Sequence, residues 1–337
     1  MKTIFDWERC TLGACAAAAL LAGCGGSQGQ SALPDAVRRA APAANHPDRG
    51  GSWMAPGAKH EDLIYVTNAN NNTVSVYSWS RRKLVGMLHG INAPFGVCSD
   101  RSGDVWVVGW GKNEIFEYAH AGTKPLTVLP FDDPDANLTD CSVDPTTGDL
   151  AVTNWGYNWL KGYVLIYPHA GGKPKYYTGP GLWFYYGCTY DDKGNLFADG
   201  WQAYVDDVFS LDELKRGASK FRRLELIPTI YPTLIGGVRW DGRYLAVGDM
   251  GDLYLYGVDG GTADVRGYVP LTTRWPLGLF SIVTIDGARR VVGPDTAGNP
   301  TAVQSWNYPA GGTPTGTITH ALDWPYGAAV SLLNKKS

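Results

Sequence analysis

The sequence predicts an all-β chain folded as a six-bladed β-propeller, its first blade completed by the C-terminal strand. Three observations predict it: a composition rich in turn-formers and aromatics, a repeat of 45 to 46 residues, and a last segment that supplies what the first repeat lacks. Of 337 residues, 43 are Gly and 21 Pro, with 13 Trp, 19 Tyr and 9 Phe. Such usage suits many short strands joined by tight turns. Charged residues make up 18% of the chain, below the roughly 25% common in soluble domains. The net charge of −3 supplies no basic field, so a nucleic-acid partner is not expected.

The repeat is read from Gly109-Trp110-Gly111, Asn154-Trp155-Gly156 and Gly200-Trp201, with Trp110 and Trp155 45 residues apart and Trp155 and Trp201 46 apart. Periods of this length mark propellers and solenoids. Extending the frame to Ala69, Met250 and Asp295 makes six units. Each unit opens with an inner strand running into a polar turn, as in Phe95-Gly96-Val97-Cys98-Ser99-Asp100, Asp140-Cys141-Ser142-Val143-Asp144 and Tyr186-Gly187-Cys188-Thr189-Tyr190-Asp191. Gly236 to Asp241 and Phe280 to Asp286 are later copies. Turns such as Ser102-Gly103-Asp104 and Lys193-Gly194-Asn195 provide the positive φ that tight hairpins need. An apolar second strand follows, then a third that alternates with period two, as in Val74-Ser75-Val76-Tyr77 and Ile115-Phe116-Glu117-Tyr118. The fourth strand is the most variable.

Unit one begins at its second strand, Asp62-Leu63-Ile64-Tyr65, and lacks an inner strand. Tyr326-Gly327-Ala328-Ala329-Val330 matches the inner-strand copies and would close the ring, which removes open sheet edges. The propeller is placed at residues 61–337. Tyr65-Val66-Thr67-Asn68 through Thr73-Val74-Ser75-Val76-Tyr77 resembles the YVTN-type propeller repeat, and units two to four resemble NHL-repeat-like blades of secreted bacterial proteins. That resemblance implies the architecture; propellers host many functions.

The N-terminus reads as an address. Lys2 and Arg9 flank the start, Thr11 to Gly23 is an uncharged Ala/Leu-rich run, and the run is too short to span a bilayer as a helix. Leu21-Ala22-Gly23-Cys24 resembles the lipobox of bacterial lipoproteins, which implies cleavage of residues 1–23 and lipidation of Cys24. Asp6 and Glu8 offset the two basic residues, a departure from the usual n-region. Acyl chains at about 0.8 kcal/mol per buried CH₂ would hold the protein on a membrane without a spanning helix. Residues 24–60, rich in Gly, Ser, Ala and Pro, read as a flexible tether. Gly25 after the lipidated cysteine favours the outer membrane or cell surface in envelopes that sort by an acidic residue there. Cys98, Cys141 and Cys188 remain in the mature chain; their odd number excludes a full disulfide framework, and they are expected as small buried hydrophobes.

In a propeller, the loops entering the inner strand and those joining strands two and three gather at one end of the channel. Here they carry an aromatic rim, with Trp110, Trp155, Trp201, Tyr186, Trp275 and Tyr326 as candidate ligand-binding residues. Aromatic faces beside carboxylates and amides suit a glycan. The function expected is therefore a membrane-tethered, extracytoplasmic binding module for an envelope glycan or a protein partner. Packing between blades is the structural alternative for these rings. A rival reading, a metal-dependent hydrolase of lactones or esters with its site at the channel mouth, comes from the gluconolactonase-like propellers, whose resemblance in ring position implies a divalent cation held by Asn68, Asp140, Asn154, Asp249 and Asp295, with Ca²⁺ the ion such oxygens suit. No Glu falls there, and turn capping accounts for the same residues. No nucleophile elbow, zinc-hydrolase or phosphate-loop motif occurs within residues 61–337, so no catalytic residue is assigned. A purely structural envelope part is the third possibility.

Overall fold

The computed structural model describes residues 51–337 except 111–113, 157–159, 203–207, 229–231, 233–235, 250, 274–277, 297–299 and 334–337. The signal, the Cys24 site, most of the tether and Trp275 therefore lie outside the described residues. Within them, six sheets of four or five strands, antiparallel except at the outer edge of blade five, form the six blades of a β-propeller. No helix among the described residues is long and apolar enough to cross a membrane.

Ring closure follows the expectation. Pro325–Ser331 pairs antiparallel with Leu63–Asn68, bringing Tyr65 opposite Ala329 and Val66 opposite Ala328, so that the end of the chain is the inner strand of blade one. Hydrogen bonds from Leu333 N to Asp62 Oδ1 (2.7 Å) and from Asp323 N to Asn68 Oδ1 (3.1 Å) pin both ends of that strand.

Blades one and five carry an unexpected fifth strand. Trp53–Met54 pairs with Leu84–His89 on the outside of blade one, so part of the stretch read as tether belongs to a sheet. Met54 packs into the blade-one/blade-two core, which supplies the burial that a composition-based reading misses. Glu225–Ile227 pairs parallel with Thr262 to Asp264, the first part of the outer strand Thr262–Pro270 of blade five.

Apolar side chains form layers between neighbouring blades. Tyr65, Val76 and Val85 meet Val97, Val107 and Phe116 between blades one and two. Trp306 and Tyr308 of blade six meet Leu253 and Leu255 of blade five. Burying each such side chain contributes ~1.5–3 kcal/mol, so the sheets cohere face to face. The aromatic–Gly pair at the head of the inner strands has a steric cause. A Cβ on Gly187 would lie 2.8 Å from Gly237 Cα, one on Gly327 would lie 2.7 Å from Phe95 O, and one on Gly96 would collide with Thr139 O. Glycine is what lets adjacent inner strands approach around the axis.

One expectation fails. Cys98 and Cys141 are not separate buried thiols: they form a disulfide with Cα atoms 5.7 Å apart, linking the inner strands of blades two and three. The separation of 43 residues is close to one repeat, and Cys98 stands opposite Trp106 whereas Cys141 stands opposite Val152, one position further along. That offset turns the two side chains toward each other. Cys188 is a free, buried thiol.

Candidate functional site

The two ends of the channel differ. Among the described residues at the end carrying the strand-two-to-three loops, the rings of the predicted rim pack on one another. Trp155, Trp201, Tyr186 and Tyr326 are each no more than 4% exposed. Phe95 stacks on Tyr326 at 3.7 Å and meets Tyr186 edge-on at 6.4 Å, while Trp155 stacks on Phe184 at 5.0 Å. Trp110 is half-buried against Phe95 at 4.9 Å. The rings expected to face a ligand cover one another instead. Trp201 Nε1 has no hydrogen-bond partner among the described residues.

The oxygen ligands proposed for a cation are engaged by protein groups. Asn68 donates from Nδ2 to Ser75 Oγ (2.9 Å) and Thr73 Oγ1 (3.2 Å) and accepts from Asp323 N. Asn154 Oδ1 accepts from Asn137 N (2.7 Å) and Gly156 N (3.3 Å). Asp140, fully buried, is engaged by Arg239, and Asp249 and Asp295 are 6% exposed and already in contact with other groups. No cluster of three or more His, Cys, Asp or Glu among the described residues could hold a metal ion. The donor set does not fit calcium, because its members bind protein partners at separate places.

Midway along the axis stands a group that sequence reasoning missed. Arg239, from the inner strand of blade five, reaches Asp140 of blade three with two bonds, Nη1 to Oδ2 (2.6 Å) and Nη2 to Oδ1 (2.9 Å). It also donates to Phe280 O (2.7 Å), Val238 O (2.8 Å) and Cys188 O (3.1 Å). Burial opposes its charge, yet Asp140 beside it holds the guanidinium above its ordinary pKa. Asp140 Oδ2 accepts a further bond from Cys188 N (3.0 Å). Asp199 lies in the same cluster with Oδ1 accepting from Gly187 N (2.7 Å) and Oδ2 without a hydrogen-bond partner among the described residues. Burial pushes its carboxyl up to about 7. The signal for Arg239 was present in the sequence: the register puts it level with Ser142 and Thr189 in the preceding copies.

Below this cluster a girdle of lateral links runs once around the axis. The Cys98–Cys141 disulfide joins blades two and three. Tyr190 N donates to Ser142 Oγ (3.1 Å) between blades three and four, and Trp240 N to Thr189 Oγ1 (3.0 Å) between four and five. Arg239 Nε reaches Phe280 O between five and six. Ser281 Oγ donates to Ala328 O (2.7 Å), and Ser99 Oγ to Val330 O (2.8 Å), completing the circle through blade one. Every polar group in this ring is thus satisfied by the next blade.

The channel opens at this end. A cavity of about 630 Å³ lies on the axis, bordered by Ser99, Ser142, Thr189, Arg239, Trp240 and Ser281 and rimmed by the strand-one-to-two hairpins. The hairpins are braced by their leading aspartates: Asp100 Oδ1 accepts from Ser102 N (2.8 Å) and Asp104 N (2.9 Å), and Asp191 Oδ1 from Lys193 N (2.9 Å) and Asn195 N (2.8 Å). The size matches that of ligand pockets generally. The lining offers hydroxyls, both signs of charge and one tryptophan, which suits a polar, hydrogen-bonding guest.

No protein-family model and no curated protein matches the chain. Its likeness is to solved structures. A chain in the crystal structure of a nidogen/laminin complex superposes with TM-score 0.61 at 13% identity, covering 81% of this chain and 99% of that one. A Bacteroides caccae protein of unknown function gives 0.57 at 10% identity, covering 80% and 99%. The β-propeller domain of Cps50 (Swd1) from Myceliophteria thermophila gives 0.53 at 11%, covering 83% and 89%. At these identities the likeness establishes the propeller fold alone, a fold consistent with a binding module.

Proposed function

We propose that the chain is an exported lipoprotein of the YVTN/NHL-repeat-like type, held on a bacterial membrane through Cys24, and that its propeller binds a protein partner at the hairpin-lined end. The observation that carries the reading is the axial cavity of about 630 Å³ at that end, set against the aromatic plug at the other. The Cys98–Cys141 disulfide supports an oxidising compartment, in keeping with the signal and lipobox-like residues. A glycan held by stacking needs open ring faces, and the covered rings of Trp155, Trp201, Tyr186 and Tyr326 weigh against a sugar there. The nidogen/laminin structure shows a similar fold in a complex with a protein, which supports the choice by analogy alone.

Site-specific photo-crosslinking in the intact envelope tests the reading. A crosslinker at Ser102 or Thr146, both exposed on the cavity rim, is expected to trap one dominant protein that is lost when the other rim position is changed to Trp. A crosslinker at Asn71, exposed at the opposite end, is expected to trap none. The reverse pattern, or no adduct from either rim position, refutes docking at this end.

A further inference from the structure

The axial cavity has a neighbour. A second cavity of about 400 Å³ lies in the cleft between blades four and five, and Trp240 borders both. The residue is tied to each side: its backbone N–H donates to Thr189 Oγ1 in the axial wall (3.0 Å), and its indole Nε1 donates to Asp192 Oδ2 in the cleft (2.9 Å). Half-buried, it forms a waist between two spaces at the same end of the molecule.

The charges of the cleft are unequally committed. Its lining holds four acids and four bases, so the formal charge balances. Asp191 spends its carboxylate on its own turn, Glu213 is bonded by Arg222, and Asp192 is held by Trp240. Lys193, Lys215 and Arg243 are exposed and make no ion pair among the described residues, leaving Asp259 as the one exposed acid not so engaged. The cleft therefore presents discrete cations on a neutral background, not a broad positive field.

We propose that the two cavities are one groove, and that it binds an extended polypeptide segment of the partner whose acidic residues are spaced to meet Lys193, Lys215 and Arg243 while its backbone crosses Trp240. A half-buried aromatic between two hydrogen-bonding pockets can serve as an anchor for a docked segment, and rim cations of this kind set orientation and association rate. A uniformly charged polyanion would meet Asp191, Asp192, Glu213 and Asp259 as well as the cations, and is disfavoured. The proposal rests on docking at the hairpin-lined end and deepens it by naming the ligand's chemistry.

The test uses a fluorescent ten-residue peptide alternating acidic with Gly and Ser residues, its lysine counterpart, and anisotropy with the folded propeller. The acidic peptide is expected to bind, to lose affinity at least tenfold in Trp240→Ala and in Lys193→Glu with Lys215→Glu, and to weaken as salt rises. The lysine double variant changes only exposed side chains, so it reports on the groove even if Trp240→Ala unfolds. If the rim change Thr146→Trp weakens binding while the Trp240 and lysine variants bind like the wild type, the extended groove is overturned and axial docking stands. Equal binding of both peptides, or none of the acidic one, overturns the acidic-segment assignment, and the crosslinking result then decides the docking reading separately.

Discussion

Changing Arg239 to Met should show how much the axial cluster contributes to stability. The guanidinium is the charged partner of Asp140, whose side chain is fully buried and holds two of its bonds at 2.6 and 2.9 Å. Without Arg239 that carboxylate keeps, among the described residues, only the Cys188 N–H as a side-chain partner. Breaking one side of a buried pair costs about 3–5 kcal/mol, because the remaining charge is desolvated and uncompensated. For a domain of this length about 2 °C is lost per kcal/mol, so the midpoint should fall by about 6–10 °C. Urea unfolding with a common slope measures the change directly. The decisive arm is a double-mutant cycle with Asp140→Asn, which removes the charge but retains an acceptor for Cys188 N. The double variant should recover about 2–3 kcal/mol relative to the sum of the singles. Strict additivity, or a loss below about 1 kcal/mol in Arg239→Met, would show that the pair is not what organises the axis.

Four further outcomes are expected. Asp199, raised to about 7 by burial, keeps its proton in the folded state over a range where the unfolded chain has released it. Folded stability therefore falls as pH rises from about 4 to about 7, by at most ~1.4 kcal/mol per unit; Asp199→Asn should flatten that slope in urea titrations at pH 4.5 and 8, and an unchanged slope rejects the assignment. Cys98→Ala with Cys141→Ala opens a loop of 43 residues and should cost up to about 4 kcal/mol, read from the same titration. Cys141 Sγ approaches Trp106 O (3.7 Å), the residue opposite Cys98, and Cys188 Sγ approaches Ala151 O (4.0 Å), the residue opposite Ser142. Ser142→Cys should accordingly bond to Cys188, and mass spectrometry of the alkylated, unreduced protein should show no alkylated cysteine in the propeller. Finally, Cys24→Ala should abolish incorporation of labelled palmitate and release the protein from the membrane fraction; retention of the label would remove the lipoprotein reading.

The architecture was legible because it is written as repetition. The aromatic–Gly head of each inner strand, the Asp-led hairpin and the missing strand of unit one each report a constraint that recurs at every blade, and the Tyr326 to Val330 match needed no coordinates. The disulfide was not legible from counting cysteines, since pairing depends on an offset of one residue between neighbouring inner strands. Arg239 lies inside the repeat copy Gly236 to Asp241, where a single long cation takes the place of small polar residues, but its partner Asp140 is 99 residues away and repetition does not reveal it. Trp53 and Met54 were hidden because two residues carry no periodicity, and only the pairing with Met87 and Gly86 defines them as a strand.

The aromatic rim marks the limit of ring-position reasoning. Knowing that Tyr186, Trp155 and Tyr326 share one end of a channel does not say whether their side chains face solvent or one another, and the choice is decided by volume. Six blades leave a channel that large rings can fill from its own wall, as Phe95, Tyr186 and Tyr326 do through contacts at 3.7 and 6.4 Å. The girdle uses the opposite solution. At its level the inner strands carry Cys98, Ser142, Thr189 and Ser281, all small, and the large Arg239 turns toward Asp140. Small side chains that spend their hydroxyls on the next blade leave the axis unfilled, which is why space for a guest appears at the hairpin end. Enlarging the girdle should therefore close the cavity without touching the aromatic plug. Ser281→Leu is the direct case: it removes one lateral bond and fills the space, and it should lower partner crosslinking from Thr146 while leaving the near-ultraviolet circular dichroism of the packed rings unchanged. Loss of that aromatic signal would mean that the two ends of the channel are not independent.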